Sequence, residues 1–311
     1  MDKKIGIPKS LLYYNYFRFY ETFFREIGAE IILSCPDKVT MEKGAKLVPD
    51  EVCLPLKNYF GHIIDLKGKK IDFIFLPRFV KVENNSTFCP KIIGLPDMVK
   101  NIIHDLPPLI ELDIDSSKLL LLYGNIHKIG GIFGSTSINT YKAWRKAFRN
   151  YNIHRKSLSE DLKILKKSDK LNIAVIGHPY NIYDADLNLN IMNKLAAKDI
   201  SIFTPDMVSP ETIIKEAGDL PKKVFWTLSR DVVGATKYFI KEPGIHGIIN
   251  ITSFGCGPDS IIGELIGSLI REYNKKPYLF LVLDEHTGSA GLETRLEAFI
   301  EMIKTIRERN S

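Results

Sequence analysis

Residues 3–34, KKIGIPKSLLYYNYFRFYETFFREIGAEIILS, decide the fold. A short apolar run ending in a turn (3–10) is followed by an amphipathic segment (14–28) that stops at Gly28, and then by a second β-branched run (29–34). Period two gives way to the helical period and returns, so the stretch reads as a βαβ unit.

The same alternation continues along the chain. Further strands are expected at Phe73–Leu76 and Leu119–Tyr123, with helices near Leu56–Leu66, Asp97–Ile103 and Thr136–Tyr151. A second series begins after the Lys-rich segment HRKSLSEDLKILKKSDK (154–170). There NIAVIG, ISIF, KVFW, GIINI and PYLFLVLD read as strands. Helices are expected between them near Asp186–Lys198, Pro210–Glu216, Asp231–Lys241, Pro258–Tyr273 and Leu292–Arg307. The expected class is α/β, two Rossmann-like lobes with mainly parallel sheets and a cleft between them. The first lobe is expected over 1–153, a charged linker helix over 154–170 and the second lobe over 171–311.

Composition narrows the field further. A chain of 311 residues with 45% apolar and 26% charged residues excludes a disulfide miniprotein and a disordered tail. The net charge, 43 − 37 = +6, is spread without a long basic run, so no nucleic-acid footprint stands out and an anionic small ligand is equally well served. Apolar runs such as LFLVL (279–283) have strand length, so no membrane span is expected. The N-terminus opens on charges, and four cysteines are too few for a disulfide scaffold; a reducing, cytoplasmic setting is the expectation.

The contexts of those cysteines say more than their spacing. No CxxC pair exists, so zinc-ribbon, thioredoxin and ferredoxin spacings are absent. Cys53 stands in VPDEVCLPLKNYFGHIIDL, with Pro55 expected at the first helical position. Cys89 stands in NSTFCPKIIGLPDMVKNII, ahead of a helix opening at Pro96 and Asp97, and Cys256 in INITSFGCGPDSIIGELIG, ahead of one begun by Pro258 and Asp259. All three read as residues of strand-to-helix loops, where a helix N-terminus favours a thiolate and where parallel sheets bind ligands. Gly255 and Gly257 allow close approach of backbone to a bulky group and N–H bonds to sulfur. Cys35, after the strand IILS and before Pro36 and Asp37, differs and reads as packing. The bland account of any single thiol is a small buried hydrophobe. Three thiolates together fit an open metal position, or an iron–sulfur cluster with one non-cysteine site or shared across a dimer.

Other polar clusters have two readings each. In IGHPYNIYDADLN (176–188), His178, Tyr180 and Asp184 face a cleft or form a turn capped by Asp184 or Asp186. In LVLDEHTGSAG (281–291), Asp284, Glu285 and His286 follow a strand, with Thr287, Gly288 and Ser289 placed to bind an anion. His286, Glu285 and His178 are the acid–base candidates; bracing of the loops is the alternative. Arg78 in FLPRF either balances charge or holds an acid near the Cys89 loop, or it pairs with Asp50, Glu51 or Glu83. The glycine-rich HKIGGIFGSTS (127–137) lacks the GK[ST] ending and is not a P-loop.

DEVCLPLKNYFGHIIDL (50–66), IFLPRFVKVEN (74–84), FCPKIIGLPDMV (88–99), IGHPYNIYD (176–184), SFGCGPDS (253–260) and DEHTGSAGLETRLEAF (284–299) together resemble the 2-hydroxyacyl-CoA dehydratase superfamily. More closely they resemble the DUF2229-type domain of proteins labelled as activases, or activase-related, of those dehydratases. The resemblance covers nearly the whole chain. It implies Cys53, Cys89 and Cys256 as ligands of a [4Fe–4S] cluster, or of half of a double-cubane [8Fe–9S] cluster shared across a dimer, with Cys35 outside the set. It also implies a homodimer or related-subunit heterodimer, an ATP-dependent iron–sulfur activase as partner, and an acyl-CoA or other small substrate. The implied activity is that of an oxygen-sensitive protein that accepts low-potential electrons from the activase and reduces or dehydrates the substrate at the cluster. Alternatives are a non-catalytic cluster-bearing relay or activase-docking module, and a metal-free two-lobed binding protein. The chain is shorter than the dehydratase subunits, so their acyl-CoA pocket is not implied. Arg78, Tyr180, Gly255, Gly257 and Ser289 are the candidates for substrate contact or support of the cluster.

Overall fold

The computed structural model describes residues 3–83, 86–165, 170–220, 222–273 and 276–310. The chain divides into two compact units, Met1–His154 with Phe225–Thr227, and Arg155–Val224 with Leu228–Ser311.

The first unit runs β1 (Lys4–Ile7), α1 (Tyr13–Glu26), β2 (Glu30–Leu33), α2 (Lys38–Ala45), α3 (Leu54–Lys67), β3 (Phe73–Lys81), α4 (Pro90–Ile93), α5 (Leu95–Ile102), β4 (Leu109–Asp115) and α6 (Leu119–Ile132). It ends in the first part of α7 (Ser137–Leu165). The second runs β5 (Leu171–Gly177), α8 (Pro179–Tyr183), α9 (Ile191–Ala196), β6 (Ile200–Phe203), α10 (Pro210–Gly218), α11 (Thr227–Lys241), β7 (Gly247–Ser253), α12 (Gly257–Tyr273), β8 (Tyr278–Leu283) and α13 (Ser289–Asn310). Each unit has one four-stranded, all-parallel sheet, ordered β2-β1-β3-β4 and β6-β5-β7-β8. The α/β class with Rossmann-like lobes is therefore the observed one. Among the described residues no helix is long and apolar enough to cross a membrane.

The opening stretch folds as its periodicity demands. Helix α1 buries Tyr13, Tyr20, Phe23 and Phe24 on one face, and Phe24 meets Phe75 of β3 edge-on at 4.9 Å. Gly28 (φ +84°) ends the helix in the left-handed conformation that suits glycine. In the second unit all seven residues of β5 and of β7 are buried, as expected for central strands covered by helices on both faces. Strand order reverses between β1 and β3, and between β5 and β7. Connections leaving two such strands diverge to opposite faces, which opens a crevice at their carboxyl ends.

Several elements depart from the sequence reading. Leu119–Tyr123 begins helix α6 and is not a strand; its leucines, which have no branch at Cβ, are strong helix formers, and Leu119, Leu120 and Leu121 are exposed. The edge strand is instead LIELDID, whose acidic residues obscure the alternation. KVFW forms no strand; Trp226 makes an isolated parallel bridge to Thr87 within the first unit. Of the helix expected over Asp186–Lys198 only Ile191–Ala196 forms, because Leu189 and Asn190 adopt positive φ. The 154–170 segment continues α7 as far as Leu165; residues 166–169 lie outside the described ones.

A buried polar knot fixes α3 against the sheet of the first unit. The Ser34 hydroxyl, just past β2, lies 2.7 Å from His62 Nδ1 and accepts from the Lys9 backbone N–H at 2.7 Å. Burial holds the His62 imidazole down at about 4 from the usual 6.5. Between those values the unfolded chain binds the additional proton, so stability falls as pH drops from 6.5 to 4, by roughly 3 kcal/mol at the lower end. Urea unfolding followed across this window should show that loss, and His62→Gln should flatten it. An unchanged slope in the variant would contradict the assignment.

Candidate functional site

The site of the second unit is built where β5 and β7 run out. Gly177 pairs with Ile251, and a Cβ at position 177 would stand 2.4 Å from the Ile251 carbonyl oxygen. Only glycine allows that approach, and its φ of +150° is likewise unfavourable for other residues. The loops after the two strands therefore begin side by side.

From the first loop comes His178, the residue before α8, whose carbonyl accepts from the N–H groups of Asn181 and Ile182. From the second comes Cys256. Its N–H donates to the Ser253 carbonyl at 3.2 Å across a turn in which Gly255 has φ +76°. Its own carbonyl accepts from the N–H and hydroxyl of Ser260 in the first turn of α12. Asp259 stands in the same turn, where a carboxylate complements the helix dipole.

These three side chains converge. Their ligand-type atoms all lie within 4.8 Å of one another, and among the described residues theirs is the one such group of His, Cys, Asp or Glu. All are buried, His178 to 3%, Cys256 to 8% and Asp259 to 5% exposure. The His178 ring is fixed by the Tyr180 hydroxyl, 2.6 Å from Nδ1. Its Nε2 lies 3.3 Å from Asp259 Oδ1, in a geometry that makes no hydrogen bond. The other carboxylate oxygen accepts from Asn181 Nδ2 at 3.4 Å, and Asn181 Oδ1 in turn accepts from the Ser253 hydroxyl at 2.7 Å.

Burial pushes the Asp259 carboxyl upward; His178, the Cys256 thiol, Asn181 and the Ser253 backbone act against it by charge or by donating hydrogen bonds. A carboxyl kept in such a place is expensive unless it is compensated. Nitrogen, sulfur and oxygen donors facing one point, with the outer atoms of the ring and carboxylate already bonded, is an arrangement that suits a transition metal. Sequence reasoning sees Asp259 only as a helix opener. The GPDS spacing places it one turn from Cys256, but its approach to His178 depends on the pairing of two strands distant in sequence.

In the first unit Cys53 and Cys89 are the residues immediately before α3 and α4, both with extended backbone (φ/ψ −62/146° and −57/139°). Cys53 is buried and Cys89 half-buried. Leu54 takes the first position of α3 and Pro55 the second. Helix α2 precedes the Cys53 loop, which therefore joins two helices and does not follow a strand directly. Lys57, one turn into α3, is a buried cation that sequence reasoning missed, and the Lys91 ammonium, beside Cys89, reaches the Glu51 carbonyl at 3.5 Å. Cys35 is exposed and so is not a packed core residue; its N–H donates to Asp65. None of the four cysteines forms a disulfide.

The remaining candidates have other partners or settings. Arg78 is within β3, clamped bidentately by Asp97 (2.7 and 2.9 Å) and bonded to Asp113 and the Ile93 carbonyl, with none of the partners expected for it. That clamp holds the Asp97 carboxyl at about 2. Glu285 and His286 sit in an exposed turn closed by Asp284, which accepts from the His286 N–H and from Thr287. Ser289 opens α13 and accepts from Lys194. Asp184 is buried and accepts from the Leu187 N–H. Gly257 starts α12 with open space where a Cβ would be.

A family model described as a CoA enzyme activase uncharacterised domain (DUF2229) matches residues 4–208. The matched span holds Cys53, Cys89 and His178; Cys256 and Asp259 lie beyond it. No curated protein matches the chain. The match overturns the expectation that the chain is itself the dehydratase-type component, taking electrons from an activase and reducing or dehydrating a substrate, because the matched family is described by the activase.

Replacing Gly177 by alanine should cost about 2–3 kcal/mol in urea unfolding, since the new Cβ must displace a strand carbonyl. A neutral G177A would mean that the strand ends are looser than described.

Proposed function

Because the chain belongs to the family of the CoA enzyme activase uncharacterised domain, we propose that it serves the activase side of a CoA-enzyme system as a docking and electron-relay module bearing an iron–sulfur centre. The partner of such a module is a CoA-ester-transforming enzyme, with 2-hydroxyacyl-CoA dehydratases the class that the sequence motifs favour. The ATP-dependent step is assigned to a separate nucleotide-binding domain or chain, since the glycine-rich 127–137 segment lies largely within α6 and has no P-loop ending.

The observation that carries the reading is the placement of three thiols. Cys53, Cys89 and Cys256 are each the residue immediately before a helix, a position from which a sulfur can meet first-turn backbone N–H groups. When bound, an iron–sulfur centre supplies one-electron chemistry at a potential tuned by burial and hydrogen bonds to sulfur. The protein's own contribution is to exclude water around Cys53 and Cys256, to place Lys57 close to the Cys53 end of α3, and to leave open space at Gly257.

Anaerobically purified or reconstituted protein should contain iron and sulfide, and C53S, C89S and C256S should each lose most of it while C35S retains it. A colourless protein without iron after reconstitution, or a loss confined to C35S, would overturn the reading.

A further inference from the structure

His178 Nε2 is an imidazole nitrogen in a site that is almost closed to solvent, yet it makes no hydrogen bond. It faces a carboxylate oxygen at 3.3 Å, and the same carboxylate is approached by the Cys256 thiol. An imidazole nitrogen and a carboxylate oxygen held this close, in a geometry that makes no hydrogen bond, are compensated by a positive charge between them, which a metal ion supplies. The opposite sides of both groups are already occupied. Tyr180 holds His178 Nδ1, and Asn181, itself anchored by Ser253 and by the Ile251 carbonyl, holds Asp259 Oδ2. Outer partners of this kind orient metal-ligating imidazoles and carboxylates.

We infer that His178 Nε2, Cys256 Sγ and Asp259 Oδ1 of the second unit together bind one divalent transition metal ion, leaving a fourth position open. The mixed nitrogen, sulfur and oxygen set selects zinc, iron(II) or cobalt(II) over magnesium and calcium. Donor atoms of a tetrahedral ion stand about 3.5 Å apart. The three donors lie within 4.8 Å, so side-chain adjustment suffices. Binding forms a metal–sulfur bond and releases the Cys256 thiol proton to solvent; no oxidation or reduction is involved. Beside Cys256 in sequence, a Cβ at Gly257 would meet no atom within 4 Å, and Phe254 is exposed.

The inference shares Cys256 with the proposed function and concerns the protein without its iron–sulfur centre, because one terminal thiolate does not hold the divalent ion and a cluster ligated by Cys53 and Cys89 at the same time. It requires His178 and Asp259, which that reading does not, and makes no demand on Cys53 or Cys89.

Cobalt(II) titration of the full-length apoprotein under anaerobic conditions separates the two. One equivalent should bind with a thiolate-to-cobalt charge-transfer band and the d–d intensity of a four-coordinate site. C256S should abolish the charge-transfer band, and H178A and D259N should each weaken binding at least tenfold. Y180F should weaken it by a smaller factor, and C53S and C89S should leave the spectrum in place. Near-UV circular dichroism identifies any variant that does not fold, and H178Q then replaces H178A. A band that survives both H178A and D259N, or that disappears in C53S or C89S, would overturn the inference, as would absence of cobalt binding. Iron and sulfide analysis of the same preparations shows separately whether the proposed function stands.

Discussion

The second unit depends on the closeness of β5 and β7 at their carboxyl ends. At Gly177 a carbonyl of the neighbouring strand fills the space that any side chain would need. Because the two strands pair through Gly177 and Ile251, the residues that follow them, His178 and Cys256, start from adjacent points, and the first turn of α12 brings Asp259 to both. Strand order reverses here, so the outgoing connections diverge to opposite faces of the sheet. Chemistry that would be scattered over some eighty positions of sequence is thereby assembled by backbone geometry, before any side-chain preference acts.

The fold is legible in the sequence where period and punctuation agree. The βαβ opening, the Gly28 stop, and the central strands of the second unit all follow from runs that a covered parallel sheet requires. The failures have physical causes. Four consecutive leucines carry no period, so Leu119–Tyr123 resembles a strand although leucine favours helix. An acidic edge strand, LIELDID, resembles a loop. Of the site, the position of Cys53 and Cys256 just before helices is readable from the prolines and acids that follow them, whereas the four-residue α4 directly after Cys89 is not, the sequence pointing to a helix that opens at Pro96 and Asp97. The involvement of Asp259 is not, since it requires knowing that the β5 and β7 loops are neighbours. Arg78 shows the converse: its sequence position suggests a cation for a ligand, but three acidic side chains and a carbonyl surround it.

The family assignment and the site geometry bear on different parts of the chain. The matched region covers the first unit except residues 1–3 and Phe225–Thr227, together with the opening of the second, including His178. Cys256 and Asp259 come from the remainder, so the centre at the end of β7 is argued from its own chemistry. A buried carboxyl raised by burial, an imidazole nitrogen without a hydrogen bond and a thiol within reach of both form a set that a metal-free core would have little reason to keep together. Clusters of partnered charges, such as Arg78 with Asp97, Glu111 and Asp113, are by contrast accounted for by their role in bracing β3, β4 and α5.

The central claim is that thiolate from Cys256 binds a transition metal in this protein. X-ray absorption at the edge of whichever metal accompanies the anaerobically isolated full chain tests it most directly. Sulfur scattering is predicted at about 2.3 Å, together with a light-atom shell at about 2.0–2.1 Å, and part of the sulfur contribution should be lost in C256S. A metal surrounded by oxygen and nitrogen alone, or a sulfur shell unchanged by that substitution, would contradict it.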